Sequence, residues 1–215
     1  MQLTIREPGS AITHFVAMLL AAGASVPLLL KAAGLGGLYL IAMLIFITSM
    51  ILLYGASATY HSANLSAKAI KRLRKLDHAM IFILIAGSYT PVCLLILKPS
   101  QGIPLLTAVW SIAIIGIGIK LFWITCPKWF SSLIYIAMGW MCLFVFGPIM
   151  HTLPRDAFLW LLAGGIIYTL GGVIYALKLP IFNARHKYFG SHEIFHLFVM
   201  GGSFCHFIFM YLYVI

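Results

Sequence analysis

Two histidines four residues apart, His192 and His196, stand at the start of the last apolar stretch of the chain. Residues i and i+4 of a helix lie on one face about 6 Å apart, so both imidazoles can point to the same place. This spacing is typical of metal ligands. The pair therefore predicts a metal site where this helix begins.

The same segment matches H-E-x-x-H, the motif in which two histidines bind zinc and the glutamate is the general base of a protease. A match of five residues is weak evidence. Glu193 follows His192 directly and is turned about 100° from it on a helix, so we expect Glu193 to stay outside the metal site. His61, four residues after Ser57 at the end of an earlier apolar stretch, is the better third ligand. Three histidines leave one position of a tetrahedral zinc ion open to water.

The composition places these residues in a membrane. Hydrophobic residues make up 63% of the 215-residue chain and charged residues only 8%, against about a quarter in soluble domains, and the mean hydropathy is +1.06. Seven low-charge stretches each have about the 20 residues that cross the hydrocarbon core as a helix. They are residues 11–30, 38–60, 78–97, 103–123, 131–150, 157–177 and 194–215. We therefore predict an all-α integral membrane protein, a seven-transmembrane helix bundle that forms a single domain over residues 1–215.

The net charge of +10 is divided unevenly between the two sides of the predicted bundle. Most basic residues flank the N-terminus and the connections after spans two, four and six. They are Arg6, Lys68, Lys71, Arg72, Arg74, Lys75, Lys120, Lys128, Lys178, Arg185 and Lys187, and the other side has only Lys31, Lys98 and Arg155. Because positive residues concentrate in the cytoplasm, we expect the N-terminus inside and the C-terminus outside. The basic run of residues 68–75 is then expected to contact anionic lipid headgroups rather than nucleic acid.

This topology brings further polar residues to the membrane face that carries the histidines. Span two ends at that face with Ser57 and His61, and Asp77 opens span three there. An aspartate at the start of a helix commonly caps free N–H groups and complements the helix dipole. For Asp77 this ordinary role and a role at the metal site both stay open.

Two other histidines have ordinary interpretations. We expect His14, near the start of span one, to be an interfacial residue bonded to backbone or water. His206 lies about 15 Å along span seven from His196 and is turned away from it. We expect His206 to be a buried histidine whose ring nitrogens are satisfied.

In these residues the chain resembles the hemolysin III branch of the progestin and adipoQ receptor family, within a superfamily that also holds the alkaline ceramidases. The matching elements are Ser57-x-x-x-His61 ending span two, Asp77 opening span three and His192-x-x-x-His196 opening span seven. Residues 76–78, 86–91, 137–140 and 201–207 look like bacterial hemolysin III members in particular. The resemblance covers essentially the whole chain.

The resemblance implies a zinc ion held by His61, His192 and His196, with Asp77 bound to the zinc-held water and Ser57 beside it. Zinc on neutral imidazoles lowers the pKa of its water toward about 7, which makes a nucleophile near neutral pH. Asp77 could accept the proton. Ser57 could donate a hydrogen bond to the developing oxyanion or orient a ligand imidazole.

Three functions are consistent with this interpretation. The first is a zinc-dependent hydrolase of lipid amide or ester bonds in the bacterial inner membrane, because a site at the cytoplasmic leaflet is within reach of a membrane lipid or fatty-acyl substrate. The second is a non-enzymatic membrane regulatory or signalling protein whose zinc ties spans two, three and seven together. The third is the cytolytic activity that the family name records. A pore should show a polar stripe through the bilayer, whereas these polar residues collect at one end.

Overall fold

The computed structural model describes residues 5–177 and 189–215 of the chain. Within these residues all regular structure is helical, and seven helical segments are long and apolar enough to cross a membrane. The predicted class and the number of spans are confirmed. Three of the basic residues used in the topology argument, Lys178, Arg185 and Lys187, lie outside the described residues.

In the described residues, eight α-helices build the seven spans. They are α1 (Pro8–Leu35), α2 (Gly37–Ser62), α3 (Ala67–Pro91), α4 (Pro99–Phe122), α5 (Lys128–Gly139), α6 (Phe146–Thr152), α7 (Arg155–Leu177) and α8 (Ser191–Phe209). Helix α3 continues as a π-helical turn over Val92–Ile96, and α8 ends in a similar turn over Met210–Val214. A 3₁₀ segment, Trp140–Val145, joins α5 to α6, so these two helices form one span.

Local sequence sets where several helices begin. Pro8 and Pro99 stand in the first turns of α1 and α4, where a missing N–H costs nothing. A single residue, Gly36, separates α1 from α2. Its φ of 128° lies in the region that favours glycine, which lets the chain reverse direction within one residue.

The third span begins earlier than the sequence analysis predicts. Helix α3 starts at Ala67, where the Ser66 side chain accepts a hydrogen bond from the Ala69 N–H at 3.4 Å. The basic run of residues 68–75 is therefore the first part of a helix, and the connection to α2 is only residues 63–66. Alanine, lysine and arginine are strong helix formers, which explains the extension. Asp77 lies about three turns inside α3, so the placement of Asp77 at a helix start, and with it the capping role, was wrong.

The helices close into a bundle. Helices α1, α2, α3 and α4 pack in sequence order, α7 packs on α8, and α8 returns to contact α1, while α5 contacts both α7 and α3. Large side chains such as Phe46, Phe82 and Phe209 fill the centre. Apolar side chains such as Leu20 and Leu30 of α1 are exposed, as expected for a surface in contact with lipid.

Small residues allow the closest helix contacts. A Cβ atom added at Gly116 of α4 would lie 2.2 Å from the ring of Phe82 on α3. At Gly164 of α7 it would lie 2.3 Å from the ring of His206 on α8. Both pairs of helices therefore approach through a glycine, which is a common way for membrane helices to pack.

Candidate metal centre

Three histidines from two helices meet at one end of the bundle. His61 comes from the last turn of α2, and His192 and His196 come from the first turns of α8. One ligand nitrogen of each residue lies within 4.8 Å of the other two. His61 and His196 are each 2% exposed, and His192 is partly buried. The i and i+4 spacing of the α8 pair thus places both rings beside the histidine of α2.

The nitrogen atoms of this cluster suit a metal ion. The Nε2 atoms of His61 and His192 are 3.1 Å apart, and two imidazole lone pairs at that distance repel unless a proton or a cation lies between them. Tetrahedral zinc holds its nitrogen ligands about 2.0–2.1 Å away, which sets them about 3.3 Å from one another. Imidazole is also a preferred ligand of zinc. The residues therefore fit the ion that the family resemblance implies.

Two of the three histidines make contacts with the start of α1 through their Nδ1 atoms. The Nδ1 atom of His61 forms a hydrogen bond with the Glu7 carboxylate, and the Nδ1 atom of His196 lies 3.2 Å from the Thr13 hydroxyl. The hydrogen bond with His61 lowers the pKa of the Glu7 carboxyl below its ordinary value. The Nε2 atom of His61 faces His192, and the contact at Nδ1 leaves Nε2 of His196 without a hydrogen-bond role toward α1.

Glu193 points away from the cluster. One carboxylate oxygen accepts the Gly190 N–H at 2.8 Å, and the other accepts the Ser10 hydroxyl of α1. The carboxylate thus caps the first turn of α8 and ties it to α1. This position agrees with the expectation that Glu193 stays outside the metal site.

His14 belongs to the site, which the sequence analysis did not predict. Its ring stacks on His196 with centroids 3.6 Å apart and an interplanar angle of 5°. The side chain is 3% exposed, and neither ring nitrogen has a hydrogen-bond partner among the described residues.

A cavity of about 190 Å³ opens beside the cluster. Asp77 and Ser57 line it together with His192 and His196. The Ser57 hydroxyl is buried and has no partner within the described part of the chain. Both predicted catalytic side chains thus share one cavity wall with the α8 histidines.

The cavity extends far from the histidines and becomes apolar. Its lining includes Leu105, near the start of α4, and Ile149 and Phe158, near the far end of the bundle. His206 also lines it, and neither of its ring nitrogens has a partner in residues 5–177 and 189–215. The space is a long apolar channel with its polar end at the cluster.

Asp77 sits in a small polar group at the polar end of the cavity. One carboxylate oxygen lies 3.4 Å from the His78 Nδ1 atom, which is 2.9 Å from the Arg74 carbonyl. The Tyr135 hydroxyl donates to the His78 carbonyl at 3.2 Å. Asp77 is buried and close enough to His61 for an electrostatic interaction. Its neighbours hold the α3 backbone and leave the carboxylate facing the cavity.

Sequence reasoning identified the histidines but missed the contribution of α1. Glu7, directly before α1, and Ser10 and His14 within it are spaced three and four apart, which places them on one side of the start of this span. A polar stripe with this spacing is the signal that would have found them.

Known proteins are similar to this chain over most of its length. The family described as Haemolysin-III related matches residues 3–207. A hemolysin-3 homolog of Bacillus subtilis is 38% identical over 202 residues, which cover 93% of this chain and 91% of that protein. Hemolysin-3 of Bacillus cereus is 37% identical over 204 residues, covering 94% and 89%. The progestin and adipoQ receptor-like protein 1 of Caenorhabditis elegans is 28% identical over 184 residues, covering 75% of this chain and 41% of that protein.

Proposed function

The chain belongs to the hemolysin III family of multi-pass cell-membrane proteins, and from this premise we propose that it is a zinc-dependent hydrolase of lipid amide or ester bonds. The proposal rests on one observation. A cluster of three histidines stands at the polar end of a long apolar cavity whose wall also carries a carboxylate and an unpartnered hydroxyl. A polar reaction centre joined to an apolar channel suits a substrate with a polar linkage and an acyl chain.

His61, His192 and His196 would hold the zinc ion. Bound there, zinc would supply Lewis-acid chemistry that makes attack by water on an acyl carbon feasible near neutral pH.

The other side chains have roles that follow from their positions. The Asp77 carboxylate accepts the proton that water loses as its oxygen bonds to the acyl carbon, and then returns that proton to the departing nitrogen or oxygen. The Ser57 hydroxyl, free of protein partners in the described residues, donates a hydrogen bond to the acyl oxygen as it gains charge. The apolar channel holds the acyl chain and keeps bulk water out.

The basic start of α3 provides a second contact with lipid. Lys68, Lys71 and Arg72 are exposed, whereas Arg74 and Lys75 are partly covered. We propose that this run contacts anionic headgroups at the membrane surface. It would place the lipid linkage and the histidine cluster at the same leaflet, since Asp77 follows on the same helix.

A structural role for zinc is the second candidate, and the origin of the ligands favours it. His61 is 131 residues from His192, so an ion shared by them would fasten the second span to the seventh. The cytolytic activity in the names of the Bacillus relatives is less well supported. Polar side chains such as Ser88, Thr169 and His206 also line the cavity deeper in the bundle, but most of its lining surface is apolar, unlike that of an aqueous pore.

Asp77→Asn separates catalysis from metal binding. All three histidines remain and the side chain stays polar and nearly isosteric, so we expect full zinc occupancy and a loss of about 10²–10⁴ in hydrolytic rate. The matched variant His196→Ala leaves two ligands, and we expect its zinc content and its thermal stability to fall together. Zinc is measured by elemental analysis of purified protein, and hydrolysis with a short-chain ceramide and a short-chain acyl ester.

Two results would count against the enzyme. Equal rates for the parent and Asp77→Asn at full zinc occupancy would remove Asp77 from the mechanism. A parent protein that hydrolyses no acyl lipid, yet unfolds when a chelator removes zinc, would favour the structural role.

A further inference from the structure

We propose that the start of α1 forms the outer shell of the metal centre, in which Glu7 positions His61 and Thr13 positions His196 for metal binding. The inference rests on the zinc site of the proposed function but not on hydrolysis. It assigns to Glu7, just before the first span, and to Thr13 within it a role that neither the metal-ligand spacing nor the family resemblance assigned.

Glu7 forms two hydrogen bonds with His61 at the end of α2. Its carboxylate bonds to the Nδ1 atom of His61, and its backbone N–H donates to the His61 carbonyl at 3.0 Å. A carboxylate only accepts, so Nδ1 carries the hydrogen and Nε2 keeps the lone pair that a metal needs. The second contact fixes the backbone of the same residue and thereby the direction of the ring.

Arg6 keeps the Glu7 carboxylate in place. The Arg6 Nε atom lies 3.3 Å from the second carboxylate oxygen, and the guanidinium lies 4.3 Å from the centre of the Tyr60 ring. Tyr60 precedes His61, so Arg6 and Glu7 together cover the last turn of α2.

Thr13 acts on His196 by the same logic. The Thr13 hydroxyl lies 2.9 Å from the Gly9 carbonyl and 3.0 Å from the Ser10 carbonyl, which take its single hydrogen. Its oxygen is then an acceptor for the hydrogen on Nδ1 of His196, 3.2 Å away. Nε2 of His196 is again the nitrogen left for the metal.

The third candidate ligand, His192, has no contact of this kind with α1. The Nδ1 atom of His192 is buried and has no partner among the described residues. Helix α1 therefore orients one ligand on α2 and one on α8, and the ion would complete the arrangement by fixing His192. Loss of an outer partner of a metal-bound histidine typically lowers metal affinity about 10- to 100-fold.

The test measures zinc affinity rather than activity. Full-length protein in detergent is stripped of metal and titrated with Zn²⁺ against a competing chelator. We expect Glu7→Ala to bind zinc about 10- to 100-fold more weakly and Glu7→Gln, which keeps an acceptor oxygen, to fall between Glu7→Ala and the parent. Thr13→Val, which keeps the shape and loses the acceptor, should also bind more weakly. Asp156→Ala removes an exposed carboxylate from α7 and should match the parent.

A second readout separates positioning from stability. The absorption bands of bound Co²⁺ report ligand geometry, and we expect them to shift in Glu7→Ala and Thr13→Val. In the contrary case the variants keep the parental zinc affinity and the parental cobalt bands, and only their metal-free forms melt at a lower temperature. These residues would then stabilise helix packing alone, which overturns the inference and leaves the proposed function standing. A parent that binds no zinc overturns both. If Glu7→Ala does not fold, parental affinity in both Glu7→Gln and Thr13→Val is the contradicting result.

Discussion

The three carboxylates at the histidine end of the bundle differ in what they contact, and we therefore expect them to differ in function. Asp77 faces the cavity, Glu7 faces the back of His61, and Glu193 caps α8. The same chemical change, carboxylate to amide, should therefore have different consequences at each position.

Glu193→Gln is expected to keep zinc and most hydrolytic activity. The amide retains one acceptor oxygen for either Gly190 N–H or the Ser10 hydroxyl and loses the other, so a stability loss of about 1 kcal/mol is expected, typical of a weakened helix cap. Zinc content, acyl-lipid hydrolysis and thermal unfolding are measured beside Asp77→Asn. A loss of turnover as large as that of Asp77→Asn, with zinc still bound, would instead make Glu193 the general base.

The candidate ligands could be identified from the sequence, whereas the residues that contact them from α1 could not. His192 and His196 share one helix, so their spacing alone fixes that they face the same way. Glu7 and His61 are 54 residues apart, and their contact depends on how α1 packs on α2. Helix packing follows the shapes of many apolar side chains, which a local pattern does not reveal.

At the scale of helices, Gly116 is expected to control the packing of α4 on α3. In Gly116→Ala the new Cβ would lie 2.2 Å from the Phe82 ring, which is itself held by Tyr135 with ring centroids 4.7 Å apart. Because the ring has little room to move, we expect a loss of about 1–3 kcal/mol in stability, as for other overpacked cores. Thermal unfolding in detergent checks this value.

Gly118→Ala is the matched control on the same helix. A Cβ at Gly118 meets nothing within 4 Å, and alanine favours helix over glycine, so its unfolding temperature should equal or exceed that of the parent. Equal destabilisation by both variants would mean that α3 and α4 do not meet at Gly116.

Hydropathy predicted the number of spans but not where each helix begins. All seven spans were predicted because runs of about 20 apolar residues have few other uses. The start of α3 was missed because residues 68–75 are rich in basic side chains. Hydropathy cannot distinguish a charged loop from a charged helix. Helix propensity and the Ser66 cap carried that information.

At the scale of the whole molecule, the charge distribution predicts that the histidine cluster faces the cytoplasm. Lys120 contributes less than its count suggests, since it is 2% exposed and donates to Ser131 and Cys126. The remaining excess still predicts that residues 63–66 lie inside and Ile215 outside. Leu65→Cys should resist a membrane-impermeant maleimide in intact cells and react after permeabilisation, whereas Ser100→Cys should react in intact cells.

The C-terminus gives an independent check of the same topology. A reporter that is active only outside the cytoplasm, fused after Ile215, should be active. Labelling of Leu65→Cys in intact cells together with an inactive reporter would invert the bundle and move the site to the outer leaflet.

The bond between Glu7 and His61 makes a residue that precedes the first span a neighbour of the histidine cluster. Proteolytic clipping just before Pro8 would leave every span intact and the protein folded in detergent, yet remove the carboxylate. Preparations with less than one zinc per chain therefore call for an intact-mass measurement before any conclusion about the ligands.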